Sequence, residues 1–383
     1  MKLIFKQSNI LIALLVLVNT LPPSSMRLVL VFLVIVLSIK SAYRVNVIYD
    51  NLYLKGLNYL IVLLSIYGLW LILSAPIILG MSGERVSNTS YITTIFLSLL
   101  PIYSFYYYTR KGELTLEDLR RWLPVLIIVT TYQYYQNQAS LLNIVSDTRY
   151  NLEITNNVGY VFLSLIPLLT IYKDKPIIQY SALVYCIAFL MMSMKRGAMV
   201  IAIVCVILFF IGNKERSSKL KSLIFFLILL CVIYWLYINI LSSNDYFLNK
   251  MEQAGGSGRT DIFSLLWNTY ACDYSFWEEL FGRGANSSIL VAGNYAHNDW
   301  LELLINQGIV GVIFYLVYWK NFLHVTLSVK RCRKFFYPLL ILFVITLLKS
   351  FFSMSYSGMS YIECIAIGYF IAQSDNSRMV HYL

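Results

Sequence analysis

Apolar residues fall in long unbroken runs from one end of the chain to the other, and polar residues gather in the stretches between them. Runs of about 17–25 apolar residues suit a helix crossing about 30 Å of hydrocarbon. Their continuity argues for helices, because barrel strands would alternate at every second position. Candidate spans lie near 8–22, 27–43, 57–80, 90–108, 122–138, 158–172, 176–193, 197–212, 222–241, 301–319, 335–352 and 357–373. The pattern predicts an all-α polytopic membrane protein with about twelve transmembrane helices. Lys40 and Arg44 blur the end of the second run and must reach back toward the headgroups. Lys2, Lys6 and the apolar stretch behind them have the outline of a signal peptide. Leu21-Pro22-Pro23-Ser24 lacks a small-x-small cleavage site, so this segment reads as a retained first span.

Composition sharpens the picture. Hydrophobic residues make up 59% of the chain and charged residues 13%, whereas a water-soluble domain carries about a quarter charged residues. The net charge of +11 would suit a nucleic-acid binder if the charges shared one face. They lie between the spans instead, so membrane topology explains them and no nucleic-acid partner is expected. With the amino terminus inside, most of the 30 Lys and Arg fall on the cytoplasmic side. An even number of spans then leaves both termini cytoplasmic. Cys272 alone of the six cysteines falls in a long polar loop, so no disulfide staples that loop, and no cysteine spacing suits a metal.

The domain organisation follows from one interruption. Residues 1–241 read as a membrane core of helices 1–9, and 297–383 as helices 10–12. Between them, 242–296 is the large hydrophilic segment, predicted to form a helical cap on the outer face. It holds Gly255-Gly256-Ser257-Gly258-Arg259-Thr260-Asp261, in which Thr260 and Asp261 could start a helix, and then an apolar run with helical periodicity ending at Trp267.

Candidate chemistry concentrates on the outer side. His297 is the outer histidine, followed by Asn298, Asp299, Trp300, Leu301 and Glu302. Asp299 and Glu302 have capping-box spacing, so helix capping is the first reading of both acids. A helix starting there would direct its positive end at His297, which favours the neutral ring a general base requires. A histidine bonding a loop carbonyl fits the same position equally well. Arg196, wedged with Lys195 between two apolar runs, is costly near hydrocarbon and either has a partner or snorkels to headgroups. Arg259 follows glycines and precedes a helix start, an arrangement that suits phosphate but lacks the Lys-Ser/Thr ending of a nucleotide loop. Arg283, between Gly282 and Gly284, reads first as a turn residue. Lys195, Arg283, Asn298 and Asp299 are candidate substrate-binding residues, with His297, Arg196 and Arg259 as candidate catalytic ones. One base and several guanidiniums suit transfer from a pyrophosphate-linked donor with no metal or other cofactor.

These motifs resemble the bacterial O-antigen polymerase and O-antigen ligase superfamily. The resemblance rests on Ser257-Gly258-Arg259, Trp267, Leu280-Phe281-Gly282-Arg283-Gly284, Ala296-His297-Asn298 with Leu301, Leu304, Gly308 and Gly311, and Arg196-Gly197-Ala198. It implies a membrane-embedded, inverting, metal-independent glycosyltransferase of the bacterial cytoplasmic membrane, acting on its outer face. Its donor and acceptor would be undecaprenyl-pyrophosphate-linked glycans within membrane lipid, and a chain-length regulator protein would be a further partner. By resemblance the functional arginine before the eighth span falls on Arg196, the loop arginine on Arg259 and the base on His297. Lys195 departs from the family pattern, where serine or threonine often precedes the arginine. Repeat-unit polymerase is the favoured activity, with ligation to lipid A core as the alternative. A twelve-span transporter fits less well: Lys173-Asp174-Lys175-Pro176 is a short central connection, and Glu363 is the clear mid-membrane acid.

Overall fold

A computed structural model of the chain describes residues 6–80, 83, 85–147, 156–213, 227–228, 231, 233–235, 237–241 and 259–382. Among these the named elements are all helical, and an isolated bridge joins Leu79 to Arg85. The first nine helices are α1 (Gln7–Thr20), α2 (Ser25–Ile48), α3 (Leu52–Ser74), α4 (Asn88–Leu99), α5 (Pro101–Arg110), α6 (Leu116–Asp147), α7 (Val158–Leu169), α8 (Pro176–Met192) and α9 (Arg196–Asn213). A π-helical turn, Tyr237–Leu241, follows. Then come α10 (Arg259–Asp273), α11 (Phe276–Phe281), α12 (Ser287–Ala292), α13 (Asp299–Ser328), α14 (Arg333–Phe352) and α15 (Tyr361–Tyr382).

Five helices, α2, α3, α9, α13 and α14, are long and apolar enough to cross a membrane, and α1, α7 and α8 are shorter apolar helices. The chain is therefore an all-α, multi-pass membrane protein. The outermost helix, α2, leaves Leu28, Val29 and Phe32 exposed, a surface that hydrocarbon would cover. At the other extreme, α7 is buried along its length apart from Val161. α15 packs along α5, α3 along α13, and α9 along α14.

Several boundaries differ from the sequence pattern. The run at 90–108 forms two helices, because Pro101 has no N–H to continue the ladder although Leu100 keeps helical angles. The run at 122–138 lies inside a 32-residue helix, α6. The run at 357–373 gives a helix that starts at Tyr361, after an irregular stretch from Ser353 to Ser360. Part of 222–241, all of 242–258, and with them the glycine-rich approach to Arg259, lie outside the described residues.

The largest departure is in α13. Gly308 has φ 66° and ψ −161° and breaks the helix after Gln307. The break frees carbonyls that hydrocarbon cannot satisfy, and the preceding loop satisfies them. Arg283 N donates to Ile305 O (3.2 Å), Gly284 N to Asn306 O (2.9 Å), and the Tyr274 hydroxyl to Ile305 O (3.0 Å). Gly282, at φ 73°, must also be glycine, since a Cβ there would meet the Asn306 carbonyl at 2.3 Å. The segment carrying α10–α12 is thus bonded into the broken helix as a cap, and Tyr67 of α3 holds that cap by donating to Phe281 O.

Candidate functional site

The short half of α13, residues 299–307, carries four polar side chains that are all at most 1% exposed: Asp299, Glu302, Asn306 and Gln307. The capping-box reading of Asp299 and Glu302 is corrected here. Asn298 is the N-cap, and its side-chain oxygen accepts from Trp300 N (3.0 Å) and Leu301 N (3.1 Å). Asp299 instead accepts from the Tyr315 hydroxyl (2.6 Å) and from the backbone N–H groups of Ser355 and Tyr356. Glu302 accepts from Ala296 N and Asn306 Nδ2, both at 2.8 Å, and from the Ser288 hydroxyl. Both acids therefore serve buried backbone that has no water to bond.

A second pair of charges does the same work opposite. Lys349 of α14 and Glu363 of α15 form an ion pair at 3.2 Å, with side chains 3% and 0% exposed. Lys349 Nζ also donates to Gly358 O (2.7 Å), and Glu363 accepts from Ser360 N (2.8 Å). Asp299, Lys349 and Glu363 together satisfy the irregular segment from Ser353 to Ser360, which explains how non-helical chain persists inside the bundle. Glu363, the mid-membrane acid of the sequence, thus has a partner. The pairing joins residues on different helices, and only the tertiary fold brings them together.

This framework encloses a cavity of about 570 Å³, within the usual range of small-molecule sites. His297 lines it, as do Tyr160, Tyr295, Glu302 and Lys349. Amide side chains dominate another wall: Asn19, Gln133, Gln136, Asn137 and Asn157. No sequence motif marks those amides, which are dispersed over α1, α6 and the approach to α7. His297 sits at a chain reversal with φ 52°, uncommon for a residue with a Cβ, and Glu302 fixes the backbone immediately before it. Burial and the Glu302 charge push the Tyr295 hydroxyl above the ordinary tyrosine range.

The candidate arginines stand at the edge of this cavity and are not among the side chains lining it. Arg259 Nη1 donates to Phe352 O (3.0 Å), and its charge acts on the Tyr160 hydroxyl. Arg196 opens α9; the next residue, Gly197, lies against the same two groups, since a Cβ there would be 2.5 Å from the Tyr160 hydroxyl and 3.0 Å from Phe352 Cβ. On the other side Asn298 Nδ2 donates to Phe351 O (3.4 Å), and Trp300 Nε1 to Ser350 Oγ (3.0 Å). The end of α14 is therefore common ground for the chain around Arg196, Arg259 and His297. Lys195 is 8% exposed and packs near Gly159, beside Met194 at φ 53°.

Arg283 is placed apart. It pairs with Glu278 (3.0 Å), donates to Asp273 O (2.6 Å), and its guanidinium lies 4.2 Å from the centre of the Tyr274 ring. Hydrogen bonds from Ser275 N and its hydroxyl, then from Arg283, hold the Glu278 carboxyl below its ordinary range. Burial pushes the Tyr274 hydroxyl up to about 12, against the opposing Arg283 charge. These contacts make Arg283 a brace of the cap.

The chain is thus a multi-pass helical membrane protein with a polar chamber and a bonded-in helical cap. Residues 181–316 match the family model described as O-antigen ligase, consistent with the O-antigen polymerase and ligase superfamily and supporting an enzyme of that broad type. The matched stretch contains Arg196, Arg259, Arg283 and His297. No curated protein matches the chain.

Proposed function

We propose that the protein is a surface-polysaccharide polymerase that joins lipid-linked oligosaccharide repeat units at the outer face of the bacterial cytoplasmic membrane. It has about twelve spans and cytoplasmic termini. Its donor and acceptor are undecaprenyl-pyrophosphate-linked glycans, and a chain-length regulator is a further partner. His297 takes the proton from an acceptor sugar hydroxyl as that oxygen attacks the anomeric carbon of the donor. The bond from that carbon to the pyrophosphate oxygen breaks, and the pyrophosphate leaves on its lipid. One displacement inverts the anomeric centre. Arg196 and Arg259 stabilise the charge developing on the leaving group, and their guanidiniums stay protonated without help from a metal. The chamber amides offer donors and acceptors suited to sugar hydroxyls.

One observation carries this reading: the chain around Arg196, Arg259 and His297 meets at the end of α14, beside a polar cavity. Ligation to lipid A core is the second reading, favoured by the description of the matching family model. The test is incubation of purified protein with a lipid-pyrophosphate repeat unit, with and without lipid A core and with and without a chelator. A ladder of lengthening lipid-linked products that survives chelation is expected. Product formed only when lipid A core is present would favour the ligase, and no glycosidic product with either acceptor would overturn both readings.

A further inference from the structure

The opposite end of α14 borders a second cavity, of about 980 Å³, which the transfer reaction does not use. Arg120 of α6, Lys173 after α7, and Arg333 and Lys334 of α14 all line it. Among the described lining residues Asp174 is the one carboxylate, and it is paired with Arg120. Lys173 leans over the end of α9, donating to Gly212 O (3.3 Å). The first turns of α8, at Pro176, and α14, at Arg333, also border the space, adding two positive helix ends. Membrane topology accounts for cations at this end of the bundle but not for a cavity around them.

Asn213 supplies a separate observation. It closes α9, lines the cavity and is 7% exposed, yet neither its Nδ2 nor its Oδ1 has a hydrogen-bond partner. A buried amide with both ends unsatisfied costs free energy unless something bonds it. Beside the polar wall, Ile177 (71% exposed) and Ile178 follow Pro176, and Ile211 precedes Gly212, so apolar surface adjoins the basic lining.

We infer that this cavity binds a phosphate-bearing anion, and that its source is the headgroup of an anionic membrane lipid. The cations hold the phosphate oxygens, Asn213 bonds the phosphate or glycerol oxygens, and the exposed isoleucines lie along the acyl chains. The site is independent of the glycosyl-transfer reading and either can fail alone.

Full-length protein in detergent would be titrated with short-chain phosphatidylglycerol, phosphatidylcholine or inorganic pyrophosphate, with bound species counted by native mass spectrometry. Phosphatidylglycerol should be retained and phosphatidylcholine lost. Lys173→Gln with Arg333→Gln should weaken phosphatidylglycerol binding about tenfold or more. The exposed Lys334→Gln is a milder variant least apt to disturb folding, and thermal melting would verify that each variant is folded. Retention of pyrophosphate without phosphatidylglycerol would keep the phosphate site and assign it a soluble source. Equal retention of both lipids, or wild-type affinity in the folded double variant, would overturn the inference.

Discussion

The two ends of α14 are built on opposite principles. At its start, cations line an open space with one carboxylate among them, and a buried amide has no bond. At its end, Lys349 is cancelled by Glu363, Asp299 and Glu302 are bonded to backbone, and the neighbouring cavity is walled by amides and hydroxyls. A single helix of 20 residues, about 30 Å long, therefore separates a cavity lined by cations from one lined largely by hydrogen-bonding groups. At the second end Lys349 and Glu302 reach the space already bonded, and amides, hydroxyls and His297 make up much of the remaining lining. On the proposed reading that difference suits a lipid phosphate at one end, and at the other a sugar in the cavity with its pyrophosphate at the arginines beside it.

The largest expected effect tests whether the ends are independent. His297→Ala should lower glycosyl transfer by about 10²–10⁴-fold, the usual worth of a general base, while leaving lipid-phosphate binding at the start of α14 unchanged. Normal long-chain product from that variant would remove His297 from the base role. Lys349→Met should destabilise the protein by about 3–5 kcal/mol, because it strands Glu363 without a counter-ion. Pairing it with Glu363→Gln should recover part of the loss, since the amide is uncharged and can still accept from Ser360 N while the Gly358 carbonyl stays without its donor, as read by thermal melting in detergent. If the single variant melts like the wild type, the charges at this end are not structural and the contrast fails.

Smaller effects sharpen the account of the cap. Gly282→Ala should cost about 1–3 kcal/mol, because its backbone is left-handed and the Asn306 carbonyl occupies the Cβ position. Proteolysis of 259–296 should accelerate with it. The Glu278 carboxyl titrates below its ordinary value of 4.5. A depressed carboxylate contributes stability above its unfolded value, and that stability is lost as the pH falls through the folded one. The gap in melting temperature between wild type and Glu278→Gln should therefore close on acidification below about pH 4.5. A constant gap would detach Glu278 from the cap.

Hydropathy was enough to locate α2, α3, α9 and α14, because a continuous apolar run has few alternatives to a buried or lipid-facing helix. Motif spacing singled out Arg196, Arg259 and His297 for a different reason: polar groups of those types are conspicuous at the ends of apolar runs. Asn298 was harder, since Asp299 and Glu302 mimic a capping box and local spacing cannot tell which residue accepts the first free N–H. The ion pair of Lys349 and Glu363 could not be read locally, and neither could the amide wall, which is assembled from segments more than a hundred residues apart. The glycine break in α13 left only a weak mark, two glycines in a helical run, of which Gly308 breaks it and Gly311 does not, and the difference depends on a loop packing beside it.

That break has a consequence for how the protein is made. Residues 309–328, about 30 Å of helix, suffice as one inserting segment. The nine residues before Gly308 hold two carboxylates and two amides, and partitioning them into bare lipid at the translocon would be strongly opposed. They reach their place only once Tyr91, Tyr315 and the cap are there to receive them, since Gln307 bonds Tyr91 and Asp299 bonds Tyr315. Topology is thus set before the polar chamber exists, and the chamber matures as a late folding event on an already inserted scaffold.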